Sequence, residues 1–254
     1  MIYKTTQINC ENNGQKIYGV LYKPEIEGKI PLAIYAHGCG STLETGIKYA
    51  EQLASNGIAT YLFDFRGGST KSRSDGKTTE MSVMTESSDL VSVISQAKKW
   101  DFIDTNKVIL IGASQGGMAS AVTSERNPNE TVGLILLYPA FVIQDDNCKP
   151  YSSPDEVPEI INIKGWINVG KNYVTDIWDY DLYGEMKHYT KPVLIIHGSD
   201  DNVVNTSYSQ RAVKSYPNAE LHIIQGAGHG FSGESLDEAV KQILIFLKKL
   251  EFIK

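Results

Sequence analysis

Cysteine and histidine are both scarce in this chain: its 254 residues include three of the first and five of the second. Cys10, Cys39 and Cys148 are scattered and odd in number, so no disulfide framework staples the fold. No C-x-x-C or H-E-x-x-H run occurs and no two histidines stand four residues apart, so neither a metal site nor any other cofactor is expected. Positive charge is also in deficit, with 24 Lys and Arg against 30 Asp and Glu for a net charge of −6. Without a basic stripe interleaved with aromatics, nucleic acid is excluded as a partner. No apolar run approaches the roughly 18 residues that span a bilayer. The opening Met1-Ile2-Tyr3-Lys4-Thr5-Thr6 has no signal-peptide core, so no membrane partner and a cytoplasmic location are expected. Internal repeats and low-complexity tracts are absent.

What is present is a regular alternation. Hydrophobic residues make up 41% of the chain, enough for a layered core. Residues 5–9 and 16–22 alternate apolar and polar around Asn12-Asn13-Gly14, a hairpin signal. Short continuous apolar runs at 32–36, 59–63, 107–111, 133–137, 193–197 and 221–224 read as strands. Helical patterns at 43–55, 85–99, 115–126, 208–215 and 235–250 lie between or after them. Apolar strands separated by helices predict an α/β fold with a mostly parallel central sheet covered on both faces, as one domain over 1–254. The active groups of such a sheet belong beyond the carboxyl ends of its strands. The alternation breaks at 141–190, a stretch with Pro150, Pro154 and Pro158 and the aromatics Tyr151, Trp166, Tyr173, Trp178, Tyr180, Tyr183 and Tyr189. A connection that long needs structure or function of its own, and a small inserted lid is expected there.

The chemistry concentrates at the strand ends. Gly112-Ala113-Ser114-Gln115-Gly116 stands between a β-branched run and a stretch of small residues able to start a helix. A G-x-S-x-G turn in that context is a nucleophile elbow, with Ser114 Oγ exposed at the strand tip. A serine hydroxyl is barely nucleophilic at neutral pH and needs an imidazole to take its proton, itself oriented by a carboxylate. His229, in Gly226-Ala227-Gly228-His229-Gly230, suits the base; Asp200 and Asp201, after the strand at 193–197, compete for the carboxylate. His37-Gly38-Cys39-Gly40 closes another strand, and Asp64-Phe65-Arg66-Gly67-Gly68-Ser69 closes a third. His197, His222 and Arg66 are expected to be structural, and His188 to be solvated.

With these motifs, together with Tyr138-Pro139-Ala140 and the run from Tyr189 to Gly198, the chain resembles a serine α/β-hydrolase. Within that superfamily it is similar to the bacterial cinnamoyl (feruloyl) esterase-like group, over nearly its whole length. The Ser, Asp, His chain order agrees. The resemblance implies Ser114 as nucleophile, His229 as base and Asp201 as its partner, since Asp201 holds the acidic place of an H-G-x-x-D-x-x-V pattern running from His197 to Val204. It implies backbone N–H groups of Cys39 and Gln115 as the oxyanion hole. Ala113 departs from the His or Glu common before the nucleophile, and Cys39 from a bulkier residue. The substrate expected is a small-molecule ester, small or aromatic, with His37, Gly38, Trp166 and Trp178 as candidate binding residues. A peptidase or acyltransferase on the same triad, or a non-catalytic binding protein of this fold, is the alternative. Monomer and homodimer are both left open.

Overall fold

Along the strand Ile30–Ala36, successive side chains feed two different layers: Leu32, Ile34 and Ala36 enter one hydrophobic cluster, Ala33 and Tyr35 the other. A strand buried on both faces must be apolar throughout, which is why these runs show no alternation. The computed structural model describes residues 1–253. Its main sheet has eight strands: β1 (Tyr3–Gln7), β2 (Gly19–Pro24), β3 (Ile30–Ala36), β4 (Ala59–Phe63), β5 (Ile103–Ala113), β6 (Gly133–Leu137), β7 (Val193–Gly198) and β8 (Ala219–Ile224). The order across it is β1-β2-β4-β3-β5-β6-β7-β8. β3 to β8 are parallel; β2 runs antiparallel to β4, and β1 antiparallel to β2.

Five helices cover the sheet: α1 (Ile47–Ser55), α2 (Val83–Ala97), α3 (Gln115–Arg126), α4 (Thr206–Ser215) and α5 (Glu234–Lys249). α1 and α5 lie on one face, α2, α3 and α4 on the other. α2 starts where the Ser82 side chain accepts the Thr85 N–H, and α4 where Asn205 accepts the Ser207 N–H; such caps satisfy first-turn donors that have no partner within the helix. This is the α/β-hydrolase arrangement expected from the sequence. β5 begins earlier than the apolar run, at Ile103, because Ile103 pairs with Ile30 before a register shift in β3. The N-terminal hairpin forms, but in two ladders: β1 with β2, and Cys10–Asn12 with Gln15–Ile17. Its tip turns through Asn13 and Gly14, both at positive φ.

Between β6 and β7 the chain leaves the sheet for residues 138–192. This segment carries short helices at Ile143–Cys148, Asn172–Thr175 and Leu182–Glu185 and an antiparallel hairpin of Ile160–Ile163 with Ile167–Gly170. Tyr173, Ile177, Met186 and Tyr189 anchor it in the core. Among the described residues, no helix is long and apolar enough to cross a membrane.

Candidate active site

β5 and α3 meet in a turn so tight that Ser114 sits at φ 53° and ψ −120°, a strained backbone costing about 1–3 kcal/mol. The neighbouring glycines are required by close approach. A Cβ on Gly112 would lie 2.4 Å from the Gly116 carbonyl oxygen, and one on Gly116 would lie 2.3 Å from that of His37. Ser114 accordingly stands clear of the strand tip. Its Oγ–H donates to His229 Nε2 at 2.9 Å, and His229 Nδ1–H donates to Asp201 Oδ2 at 2.8 Å. The tautomer of His229 follows from these partners. Tyr138, held at φ 38°, sets its ring edge-on to the imidazole with centroids 4.9 Å apart.

Asp201 rather than Asp200 meets the histidine. Asp200 is exposed and bonds the Ser199 hydroxyl. Asp201 Oδ1 accepts the N–H groups of Val203 at 2.9 Å and Val204 at 2.8 Å. Its Oδ2 also accepts His197 Nε2–H at 3.0 Å. Burial by itself would raise the Asp201 pKa, but the Val204 N–H, His229 and the Val203 N–H outweigh it and hold the carboxyl below its ordinary value. His197 is structural, as expected, but it does more than bond a backbone carbonyl. Fully buried, it donates from Nε2 to Asp201 and the Val204 carbonyl and accepts the Ser209 hydroxyl at Nδ1, 2.7 Å away. Burial lowers its pKa, keeping it neutral.

The loop after β3 passes directly over the elbow: a Cβ on Gly38 would lie 3.1 Å from Ser114 Cβ. Among the described residues, the Cys39 N–H has no acceptor within the chain. The Gln115 N–H, at the first position of α3, has none within its helix. Two such donors beside a nucleophile are what a developing oxyanion needs. Cys39 is poorly suited to be a nucleophile itself, because burial, with Glu86 adding to it, pushes its thiol up to about 12.

Cys39, Ser114 and Gln115 line a cavity of about 500 Å³ whose remaining walls come from residues 140–173 and from Val203 and Val204. Ala140, Val142, Ile143, Ile161, Ile163, Tyr151 and Trp166 make it largely apolar; Asp146 and Lys164, paired at 3.0 Å, stand at its rim. Two candidate binding residues are corrected. His37 is fully buried, donating from Nδ1 to the Gly38 carbonyl and accepting the Phe65 N–H at Nε2, so its ring braces the loop and has no nitrogen left for substrate. Trp178 packs against the core away from the cavity. Trp166 does line it, with 62% of its surface exposed. Arg66 bonds Asp89 at 2.6 Å, a structural role as expected. Among the described residues no group of three or more His, Cys, Asp or Glu side chains could hold a metal ion.

Behind the cavity lies a cluster that sequence motifs do not mark. Gln115 Nε2 donates to Glu86 Oε1 at 2.8 Å, and Tyr173 O–H donates to Gln115 Oε1 at 2.7 Å. The signal was present in α2, where Glu86 falls three residues after Val83 and four before Leu90, on the helix's buried stripe.

A sheet of this topology with a Ser, His and Asp relay beyond its strand ends belongs to the serine α/β-hydrolases. The protein is a hydrolase of that class. More narrowly, residues 46–251 match the prolyl oligopeptidase family, and the chain belongs to that family. Among solved structures it is similar to Est1E from Butyrivibrio proteoclasticus with ferulic acid bound, at 27% identity and a TM-score of 0.85, covering 94% of this chain and 98% of that one. It is 24% identical to the quorum-quenching protein AidA of Acinetobacter baumannii (strain MDR-ZJ06), over 97% of this chain and 95% of the relative. It is likewise 24% identical to 2-hydroxy-6-oxononadienedioate/2-hydroxy-6-oxononatrienedioate hydrolase 1 of Dechloromonas aromatica (strain RCB), over 87% of this chain and 92% of that protein.

Proposed function

We propose that the protein is a serine carboxylic ester hydrolase acting on small or aromatic esters, hydroxycinnamoyl-type esters among them. The observation that carries this reading is the continuous relay from Ser114 through His229 to Asp201, opening into a largely apolar cavity. Ser114 Oγ attacks the ester carbonyl as His229 Nε2 takes its proton. Asp201, ionised and held by Val203, Val204 and His197, stabilises the imidazolium and keeps its tautomer. The Cys39 and Gln115 N–H groups receive the oxyanion. His229 then gives its proton to the departing alcohol. A water activated by the same histidine attacks the acyl-enzyme carbonyl, and the acid leaves as Ser114 regains its proton.

Residues 141–190 act in this reading as a lid within a single domain and shape the acyl pocket. The cavity's size and apolar walls suit a compact acyl group, and the likeness to Est1E, a protein solved with ferulic acid, supports an aromatic one. Family membership alone brings forward a peptidase on the same triad. Against it, Asp146 is the one carboxylate lining the cavity among the described residues, and Lys164 already pairs with it, so no free anion waits for a peptide amine.

The test is a matched panel of p-nitrophenyl acetate, butyrate and octanoate with methyl ferulate and methyl p-coumarate, each run with Ser114→Ala as control. Ser114-dependent turnover, faster on the hydroxycinnamates, is expected. Aliphatic turnover alone would keep the mechanism and discard the aromatic preference. Cleavage of peptides but of none of the esters would install the peptidase instead.

A further inference from the structure

Glu86 is fully buried, and among the described residues no cationic side chain pairs with it. Its Oε1 accepts from Gln115 Nε2, and its Oε2 has no partner among the described residues. The charged and titratable groups around it offer no compensation. Asp89, on the same helix, is of like charge and is itself paired with Arg66. Cys39, from the loop after β3, and Tyr173, from the segment between β6 and β7, are both acids, and burial raises the pKa of each. α3 contributes only the neutral amide of Gln115.

Gln115 is the residue whose backbone N–H faces the oxyanion, and its own side chain is fully buried. Three groups grip that side chain: Glu86 at 2.8 Å, the Tyr173 hydroxyl at 2.7 Å and Met81 Sδ at 3.1 Å. Met81 comes from just before the cap of α2, Glu86 from the start of that helix, and Tyr173 from the segment between β6 and β7. An oxyanion donor works only if it is already in place when charge develops, and small displacements are costly. We propose that Glu86 is a positioning residue for the oxyanion hole, fixing Gln115 from behind while Tyr173 fixes it from the inserted segment. The three side chains tie the lid to the catalytic amide.

This inference rests on the ester-hydrolase reading. It also requires Glu86 to work as the neutral acid, because an ionised carboxylate in that site would be a buried charge with one neutral donor. Burial, reinforced by Asp89, drives its pKa well above the ordinary range against the opposing bond from Gln115. Glu86→Gln keeps an acceptor for Gln115 and cannot ionise. Glu86→Leu removes the acceptor.

The experiment is steady-state hydrolysis of p-nitrophenyl butyrate across pH by wild type, Glu86→Gln, Glu86→Leu, Tyr173→Phe and the control Ser114→Ala, with thermal unfolding of each. Glu86→Leu should lower kcat about tenfold or more, with KM within about twofold, because only transition-state stabilisation is lost. Tyr173→Phe should act in the same direction with a smaller effect. Glu86→Gln should keep kcat within about threefold at neutral pH and lack the alkaline decline that ionisation of Glu86 imposes on wild type. A folded Glu86→Leu enzyme with wild-type kcat, or an alkaline decline unchanged in Glu86→Gln, overturns the inference alone. If Glu86→Leu does not fold, Glu86→Gln and Tyr173→Phe decide. Turnover that persists in Ser114→Ala overturns the ester-hydrolase reading and the inference with it.

Discussion

In the proposed reaction Asp201 and Glu86 each act through one intermediary, Asp201 through His229 and Glu86 through Gln115, and the two buried carboxyls are held in opposite ways. Asp201 accepts two backbone N–H groups and two imidazole N–H groups. Glu86 accepts one amide N–H, and its other oxygen has no partner among the described residues. Burial raises the pKa of both; only Asp201 has enough donors to reverse it. The same functional group thus serves as a fixed anion in one place and as a neutral hydrogen-bonding strut in the other. The number of donors makes the difference.

Removing the proposed nucleophile should have the largest effect: Ser114→Ala is expected to lower kcat by about 10⁴-fold or more with a nearly unchanged unfolding temperature. Next come the paired isosteric changes that bear on the comparison directly. Asp201→Asn should cost about 10³–10⁴-fold in kcat, because the amide cannot hold the imidazolium or its tautomer, whereas Glu86→Gln should be nearly silent at neutral pH. Equal losses in the two would break the distinction. His197→Phe should be intermediate, at about tenfold in kcat and 1–3 kcal/mol in stability, since it takes one donor from Asp201 and leaves the Ser209 hydroxyl without its acceptor; denaturant unfolding and initial rates read both.

Unfolding against pH separates the two carboxyls further. Asp201 has a depressed folded pKa, so its contribution is present above the ordinary carboxylate range and is lost as pH falls through the folded value. Glu86 has a raised one, so folded protein binds the extra proton and stability declines as pH climbs from the ordinary value of 4.5 toward the folded value. Glu86→Gln should remove that decline, and Asp201→Asn should leave it intact. The smallest effects distinguish the two tryptophans. Trp166→Ala should change KM a few-fold and leave stability alone, and Trp178→Ala should cost about 1–3 kcal/mol of stability and leave KM alone.

Most of the sheet is legible in the sequence because a parallel strand buried on both faces must be an unbroken apolar run, as in 59–63 and 133–137, whose observed bounds match those expected. The elbow is legible because close approach admits only glycine at 112 and 116. The Ser, His and Asp side chains are legible as candidates because they stand at strand ends. Their meeting is a property of the fold, since 115 residues separate Ser114 from His229. Other features depend on packing that no local pattern encodes. His37 and Trp178 have residue types that suit a pocket, yet one braces a loop and the other packs on the core. Glu86 looks like an ordinary polar residue of α2 until its place on the buried stripe is counted.

Trapping the covalent intermediate is the most direct test of the central claim. The protein would be mixed with p-nitrophenyl butyrate, quenched in acid within the first turnover and analysed by intact-mass and peptide mass spectrometry. The account predicts a burst of p-nitrophenol and a butyryl group on the peptide containing Ser114, absent from Ser114→Ala. Turnover with no acyl adduct on Ser114, or an adduct on Cys39 instead, would contradict it.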